Sequence, residues 1–290
     1  MKTLNKALLL CLLIIVSNNI YAQTKDSIDV SQFVVAYNYQ WNTFDGKGTA
    51  VTDSIKLGVQ VGTKVTKCRG FYQLMCSDLH EWKSNEYIEL EWIDRTRNIP
   101  TWFINYPDGE MRTFDKVVPN RYIVEGKAPE IDWRLLPDTM TIVGYICYKA
   151  EGRYAGRKWI AWYTEDIPSA AGPWKLRGLP GLIMKAEDSD HIHSFSFIGL
   201  YVRQDPITYR EPMQSTRMEQ KTFVKSRNKI MCNKRYVEDP RYYIPQGALE
   251  GAREMWMGTL EPEDSEKFTT LGKDMIVPKK VNVYQPLELE

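Results

Sequence analysis

Alternating apolar and polar positions recur along most of the chain and predict half-buried β-strands. The clearest case is IKLGVQVG at residues 55–62, where every second side chain is a large aliphatic one. Residues 33–41, FVVAYNYQW, are β-branched and aromatic, which also favours a strand. Residues 101–118 contain two such runs around the turn-forming tripeptide PDG, and they therefore predict a hairpin.

The second half of the chain predicts a contiguous antiparallel meander over residues 142–202. Residues 142–164 give two aromatic-rich strands on either side of the turn-prone sequence YAGR. In the next strand, alternation separates one face with Phe195, Phe197 and Tyr201 from another with Ile198, Leu200 and Val202. Helical periodicity is scarce and is confined to residues 247–258 and, more weakly, 78–85. The predicted fold class is mainly β, an antiparallel curved sheet or half-barrel with few short helices.

The first 22 residues have the pattern of a secretory signal peptide. Lys2 and Lys6 precede a short apolar run, and a small residue, Ala22, stands at the expected cleavage point. We therefore expect residues 23–290 to form one exported domain, in the periplasm or at the outer membrane or cell surface. No linker divides this part, but it becomes polar and basic from about residue 203, where we expect a looser C-terminal region.

Charge narrows the range of partners. Two of the 38 basic residues lie in the first 22 residues, which leaves 36 against 37 acidic residues. A near-neutral chain without a basic cluster lacks the electrostatic footprint of a nucleic-acid-binding protein. The nine tryptophans and 17 tyrosines are the unusual feature, because such side chains favour strands and often line ligand surfaces.

Residues 172–183, GPWKLRGLPGLI, combine turn-forming residues with large aliphatic side chains. The tetrapeptide LPGL fits a type II turn, in which Gly181 takes the positive φ that the third position requires. The alternation in residues 182–187 then predicts a strand directly after the turn. The hexapeptide within this stretch has no titratable or nucleophilic side chain, so we expect a structural anchor rather than a catalytic site. Its members are Gly178, Leu179, Pro180, Gly181, Leu182 and Ile183.

The hexapeptide, together with ICYKA at 146–150 and AWYTEDIP at 161–168, resembles the GLPGLI family. The resemblance extends more loosely over most of the chain after the signal peptide. It implies an exported protein of a Gram-negative bacterium with no agreed activity. A related domain is similar to the bowl-shaped N-terminal module of some glycan-cleaving amidases, which implies a bowl-like sheet. The resemblance thus informs compartment and fold and leaves function open.

Histidine chemistry is restricted, because the chain has only three histidines. On a strand, His191 and His193 would share a face, with Asp188 or Asp190 beside them. An Asp-Ser-Asp cluster between two strands is also ordinary hairpin-turn chemistry. We therefore predict no metal and no other cofactor, with these two histidines as weak candidates for a metal site.

Cysteines and acidic residues offer further candidate chemistry. Cys147 as a nucleophile would need a histidine nearby, and a disulfide or a packed thiol is the commoner role in an exported protein. Paired carboxylates could support glycosidase-type chemistry. The cysteines left after the signal peptide, which allow two disulfides in three connectivities, are Cys68, Cys76, Cys147 and Cys232. The acidic candidates are Glu165 and Asp166, and Glu125, Glu130 and Asp132.

Aromatic residues form the candidate binding set, which consists of Trp159, Trp162, Tyr163 and Trp174. Alternation places Trp159 and Tyr163 on one strand face and Trp162 on the other, so one set belongs to the core and the other could line a groove. We predict a non-enzymatic envelope protein that binds a peptide, a glycan or an apolar ligand, or that docks onto an outer-membrane protein complex. The alternative is an envelope hydrolase that acts on peptide or glycan.

Overall fold

The computed structural model describes residues 26–44, 48–79, 99–117, 119–233 and 286–289. The predicted signal peptide, its cleavage point after Ala22 and the helix predicted at 247–258 lie outside the described residues, as does most of the helix predicted at 78–85. Within the described residues, no helix is long and apolar enough to cross a membrane.

Strands dominate the structure, and the prediction of a mainly β fold with few short helices is confirmed. The thirteen strands are β1 (Ser27–Phe44), β2 (Ala50–Gly62), β3 (Thr66–Gly70), β4 (Thr101–Ile104), β5 (Glu110–Val117), β6 (Asn120–Lys127), β7 (Arg134–Ile142), β8 (Tyr145–Tyr154), β9 (Arg157–Thr164), β10 (Leu182–Asp188), β11 (His193–Val202), β12 (Pro206–Thr208) and β13 (Ser215–Glu219). The helices are α1 (Phe71–Gln73), which continues into a π-helical turn (Leu74–Asp78), and α2 (Gln220–Met231).

The strands form one open sheet in the order β13-β6-β5-β4-β3-β2-β1-β11-β10-β9-β8-β7, and β12 pairs with the start of β1. All neighbours are antiparallel except β13 and β6, which are parallel. The strands β8 to β11 form the meander predicted for residues 142–202, and that prediction is confirmed. It is extended on its outer side by β7. The connection between β9 and β10 is a long segment, residues 165–181, which we call the motif loop.

The sheet has two faces with different surroundings. On the inner face, side chains such as Tyr37 and Leu57 belong to the main hydrophobic core. The motif loop covers this face and adds Trp174, Leu176 and Leu179 to the core. On the outer face, α1 and the π-helical turn pack against the middle of β1, which gives a smaller core. Beyond that patch the outer face is more exposed and carries apolar side chains as well, among them Ile146 and Tyr148 of β8.

One predicted face assignment is wrong. Simple alternation grouped Tyr201 with Phe197, but Tyr201 pairs with Val34 of the outer-face core, whereas Leu200 pairs with Val35 of the inner core. The reason is a β-bulge in β11 opposite Ala36 and Tyr37, where Ile198 is an extra residue without a partner in β1 and shifts the register. A shift by one residue exchanges the faces of all following side chains.

Candidate functional site

The motif hexapeptide lies where the motif loop returns to the sheet. Leu179, Leu182 and Ile183 are fully buried. The Leu182 amide donates to the Ile167 carbonyl at 3.0 Å, so the start of β10 is bonded back to the loop itself. These contacts fit an anchor, although the structural role of the motif stays a prediction.

The type II turn predicted at the hexapeptide is wrong in its key feature. Gly181 does not have a positive φ, and the residue of the motif that does is Gly178, with φ of 96°. Gly181 is instead packed against the end of β9, because a Cβ on it would lie 2.0 Å from the Thr164 carbonyl oxygen. Glycine is needed here for close backbone approach rather than for its conformational freedom.

The structure places three of the four candidate aromatic residues in the inner core. Trp159 and Trp174 have no exposed surface, their ring centroids lie 5.7 Å apart, and Tyr163 is buried on the same strand face as Trp159. These three cannot line an open groove, because their side chains are buried within the main core. Trp162 points the other way and stays half-buried, with the Lys149 ammonium 5.7 Å from its ring centroid.

The two histidines proposed as weak metal candidates do not share a strand face. His191 is exposed in the β10–β11 turn, with φ of 54°, whereas His193 begins β11 and is buried. Asp188 is occupied by an ion pair with Arg157 at 2.6 Å and by the amide of His193 at 2.8 Å. In the part of the chain that the structure describes, no three His, Cys, Asp or Glu side chains are grouped to hold a metal ion.

Burial of His193 predicts a pH dependence of stability. Burial, together with the Arg157 guanidinium, lowers the pKa of His193 to about 3, and the nearby Pro286 carbonyl partly opposes this shift. The Tyr39 hydroxyl lies 2.9 Å from His193 Nδ1. In the unfolded chain this imidazole takes up a proton near pH 6.5, whereas in the folded chain it does not, so stability should fall as the pH drops below 6.5. The equilibrium constant for folding should decrease by at most about tenfold per pH unit. Urea unfolding at pH 7, 6 and 5 measures this slope.

The matched variants for this prediction are His193→Gln and His191→Asn. The first should flatten the decline between pH 7 and 5, and the second should leave it unchanged because His191 is exposed. An equal decline in unaltered protein and in His193→Gln would show that other groups are responsible.

The other candidate catalytic groups are not brought together. Burial raises the pKa of Cys68 to about 12 and also raises the pKa of Cys147, so neither is an activated thiolate. Neither of these thiols forms a disulfide, and the exposed Cys232 does not form one either. Cys76 is buried. Among the acidic candidates, Glu125 pairs with Arg112 and Arg217, and Glu165, Asp166, Glu130 and Asp132 have mostly solvent-facing positions.

A pocket of about 350 Å³ lies on the outer face at the end of the sheet, and we call it the outer-face pocket. Its floor is a row across three adjacent strands, in which Ser194 of β11 pairs with Gln40 of β1 on one side and with Glu187 of β10 on the other. The complete lining is Gln40, Asn42, Thr52, Glu187, His191, Ile192 and Ser194. Six of these seven side chains are polar.

Hydrogen bonds fix one wall of the outer-face pocket, and in the floor Glu187 forms an ion pair with Lys185 at 3.2 Å. The Asn42 amide donates to the His191 carbonyl at 2.7 Å and accepts from the Thr52 hydroxyl at 2.8 Å. The side chains of Gln40 and Ser194 make no hydrogen bond with other described residues, so both keep their donors and acceptors for a ligand. Sequence analysis missed this site, because polar residues at every second strand position look like an ordinary solvated face.

Comparisons with known proteins give limited information. Residues 154–185, which include the motif hexapeptide, match the sequence model of a family described as a protein of unknown function (Porph_ging). No curated protein matches the chain. Solved structures with a partly similar fold include PNGF-II, with 16% identity and a TM-score of 0.42 over 68% of this chain and 33% of that one. The chain therefore spans about a third of the length of PNGF-II.

Two further solved structures are more distant. A DUF1329 family protein from Desulfovibrio piger has 11% identity and a TM-score of 0.25 over 59% of this chain and 86% of that one. A LolA superfamily protein from Nitrosomonas europaea has 10% identity and a TM-score of 0.24 over 60% of this chain and 88% of that one. At these values the similarities carry no functional argument, so function has to be argued from the site.

Proposed function

We propose that the chain is an exported, non-enzymatic binding protein of the envelope that holds a short glycan in the outer-face pocket. The signal-peptide pattern of residues 1–22 supports export, and residues 23–290 are treated as one domain. The observation that carries the binding proposal is the row of Gln40, Ser194 and Glu187, whose polar atoms face one pocket on a rigid sheet.

The chemistry of the lining favours a hydroxyl-rich ligand. Most small-molecule pockets are largely apolar, whereas this one has Ile192 as its single apolar side chain. Amide, hydroxyl and carboxylate groups donate to and accept from sugar hydroxyls, while a hydrophobic ligand would leave them unsatisfied. The lining has no Trp, Tyr or Phe ring to stack on a sugar, so affinity rests mainly on about three or four hydrogen bonds, each worth about 0.5–1.5 kcal/mol. At about 1 kcal/mol each they sum to about 3–4 kcal/mol, so we expect dissociation constants on the order of 1–10 mM.

The alternative function, a hydrolase that acts on peptide or glycan, requires a nucleophile bonded to a base. The outer-face pocket contains Ser194, His191 and Glu187, but no hydrogen bond joins Ser194 to either of the others among the described residues. That arrangement favours binding without turnover.

A glycan-binding experiment tests the proposal. Neutral di- to tetrasaccharides are titrated against the protein by ligand-observed NMR, and the same samples are analysed for cleavage products. Gln40→Ala and Ser194→Ala should each weaken binding by about 3- to 10-fold, because each removes one direct hydrogen bond. The matched control is Ser196→Ala, which removes the same group from the same face of β11, two residues away.

Three results would contradict the proposal. If no saccharide binds, the outer-face pocket is not a glycan site. The same conclusion follows if Ser196→Ala and Ser194→Ala weaken binding equally. Release of shortened glycan would replace the binding function with the hydrolase alternative.

A further inference from the structure

Residues 286–289, which we call the PLEL segment, form an irregular stretch with a bend at Leu287 and lie against the inner side of the protein. Arg157 donates to two consecutive carbonyls of this segment, at 2.6 Å and 3.2 Å. The third carbonyl accepts from the Asn228 side chain at 2.6 Å, and the last amide donates to the Ala155 carbonyl at 3.0 Å. Four backbone groups in four residues are therefore recognised directly.

One side chain of the PLEL segment is recognised by charge. The Glu288 carboxylate forms an ion pair with the Lys175 ammonium at 2.9 Å, and both side chains are almost completely buried, at 4% and 2% exposure. Gln220 of α2 approaches the second carboxylate oxygen at 3.4 Å. Leu287 packs against the main core, whereas Leu289 is half exposed.

The groups that hold the PLEL segment come from three separate parts of the fold. Ala155 and Arg157 belong to the β8–β9 hairpin, Ala155 in its turn and Arg157 as the first residue of β9. Lys175 belongs to the motif loop and Asn228 to α2. Arg157 is also fixed from behind by Asp188, at 2.6 Å, so its guanidinium is oriented by a contact that does not involve the segment. Preorganised donors reduce the entropy that a ligand must overcome on binding.

We propose that Ala155, Arg157, Lys175 and Asn228 form a binding site for short peptides that carry a glutamate between two leucines, and that the PLEL segment is its resident occupant. Main-chain hydrogen bonds combined with one side-chain determinant are the usual basis of extended-peptide recognition. A free peptide of the same chemistry then competes with the resident segment. The site lies on the inner side of the sheet and is independent of the glycan proposal for the outer-face pocket.

The resident segment must be weakened before a free peptide can be seen to bind. A covalently attached occupant competes at an effective concentration on the order of millimolar, so micromolar peptide should hardly enter the unaltered protein. Glu288→Gln removes the charge of the occupant and keeps its shape. We expect a fluorescein-labelled hexapeptide with the sequence QPLELE to bind the Glu288→Gln protein at least tenfold more tightly than the unaltered protein, by fluorescence anisotropy.

Two controls define specificity. The hexapeptide QPLQLE should bind the Glu288→Gln protein at least tenfold more weakly than QPLELE, because it has no carboxylate for Lys175. Glu219→Gln neutralises an exposed carboxylate at the start of α2. This variant should bind QPLELE as weakly as the unaltered protein does. If the folded Glu288→Gln protein binds neither peptide, or binds both equally, the proposal is overturned.

A second measurement uses the native occupant in case Glu288→Gln does not fold. A specific protease site is inserted after Lys280, and the folded protein is cleaved so that the PLEL segment becomes a free peptide. The fragment should co-elute with the protein in gel filtration, and excess QPLELE should release it where QPLQLE does not. Immediate loss of the fragment on cleavage, or equal release by both hexapeptides, would equally overturn the proposal.

Discussion

Gly181→Ala should destabilise the protein by about 2–4 kcal/mol, a larger effect than most glycine substitutions produce. An added Cβ would lie 2.0 Å from the Thr164 carbonyl oxygen and 2.6 Å from its carbon, and both are backbone atoms that cannot rotate away. Thr164, the last residue of β9, pairs with Leu182, the first residue of β10. The clash therefore forces the two strands apart at the motif. Overpacking of about 1–3 kcal/mol is then added to the loss of a ladder hydrogen bond, about 1 kcal/mol.

Gly178→Ala is the matched control within the same hexapeptide. Gly178 has a positive φ, but its added Cβ would have nothing closer than 3.9 Å, so only the conformational cost of about 1–2 kcal/mol applies. Urea unfolding of both variants beside the unaltered protein measures the difference. If Gly178→Ala is the more damaging of the two, the motif depends on backbone conformation at Gly178 and not on close approach at Gly181.

The sequence was sufficient to predict the strands and their neighbours where local signals agree. The hairpin of β4 and β5 follows from two apolar runs around PDG, and the hairpin of β8 and β9 from the YAGR turn, where Ala155 and Gly156 both have positive φ. Two-residue turns of this kind match the twist of the flanking strands. Short loops of this type make sequence neighbours into sheet neighbours, so most of the meander could be derived without a structure.

Features that depend on long-range contacts could not be derived. The role of Gly181 depends on Thr164, which is distant in sequence. The face of Tyr201 depends on an extra residue, Ile198, which β11 places opposite Ala36 and Tyr37 of β1. For the aromatic set, alternation gives one face for the core and one for a groove, but it does not say which face the motif loop covers. The sequence does not reveal the outer-face pocket, because a row of polar residues across neighbouring strands has the same pattern whether it binds a ligand or faces water.

The environment of the Lys175 charge also depends on a long-range contact that the sequence does not reveal. Its sequence neighbours suggest a solvated cation beside the motif, but the structure buries it against Glu288, 113 residues away. Burial lowers the pKa of Lys175, while the nearby Glu288 carboxylate opposes this change. A buried charge of this kind is tolerated only when a partner and further hydrogen bonds satisfy it.

Lys175→Met should therefore destabilise the protein by about 3–5 kcal/mol, because it leaves the Glu288 carboxylate buried without its cation. Glu288→Leu should cost a similar amount by stranding the Lys175 ammonium. The double variant Lys175→Met/Glu288→Leu should recover most of this loss, because two apolar side chains of comparable size remove both desolvation costs together. Chemical denaturation of the four proteins gives the coupling energy directly.

An exposed ion pair between β7 and β8 provides the comparison. Arg134 and Glu151 lie 2.7 Å apart, but the Arg134 side chain is 71% exposed, so Arg134→Met should cost less than about 1 kcal/mol. A double variant at Lys175 and Glu288 that loses as much stability as the two single variants combined would show that the two charges are not coupled. The Lys175–Glu288 contact would then be incidental to the attachment of the PLEL segment, whose stability would rest on its backbone hydrogen bonds to Arg157, Asn228 and Ala155.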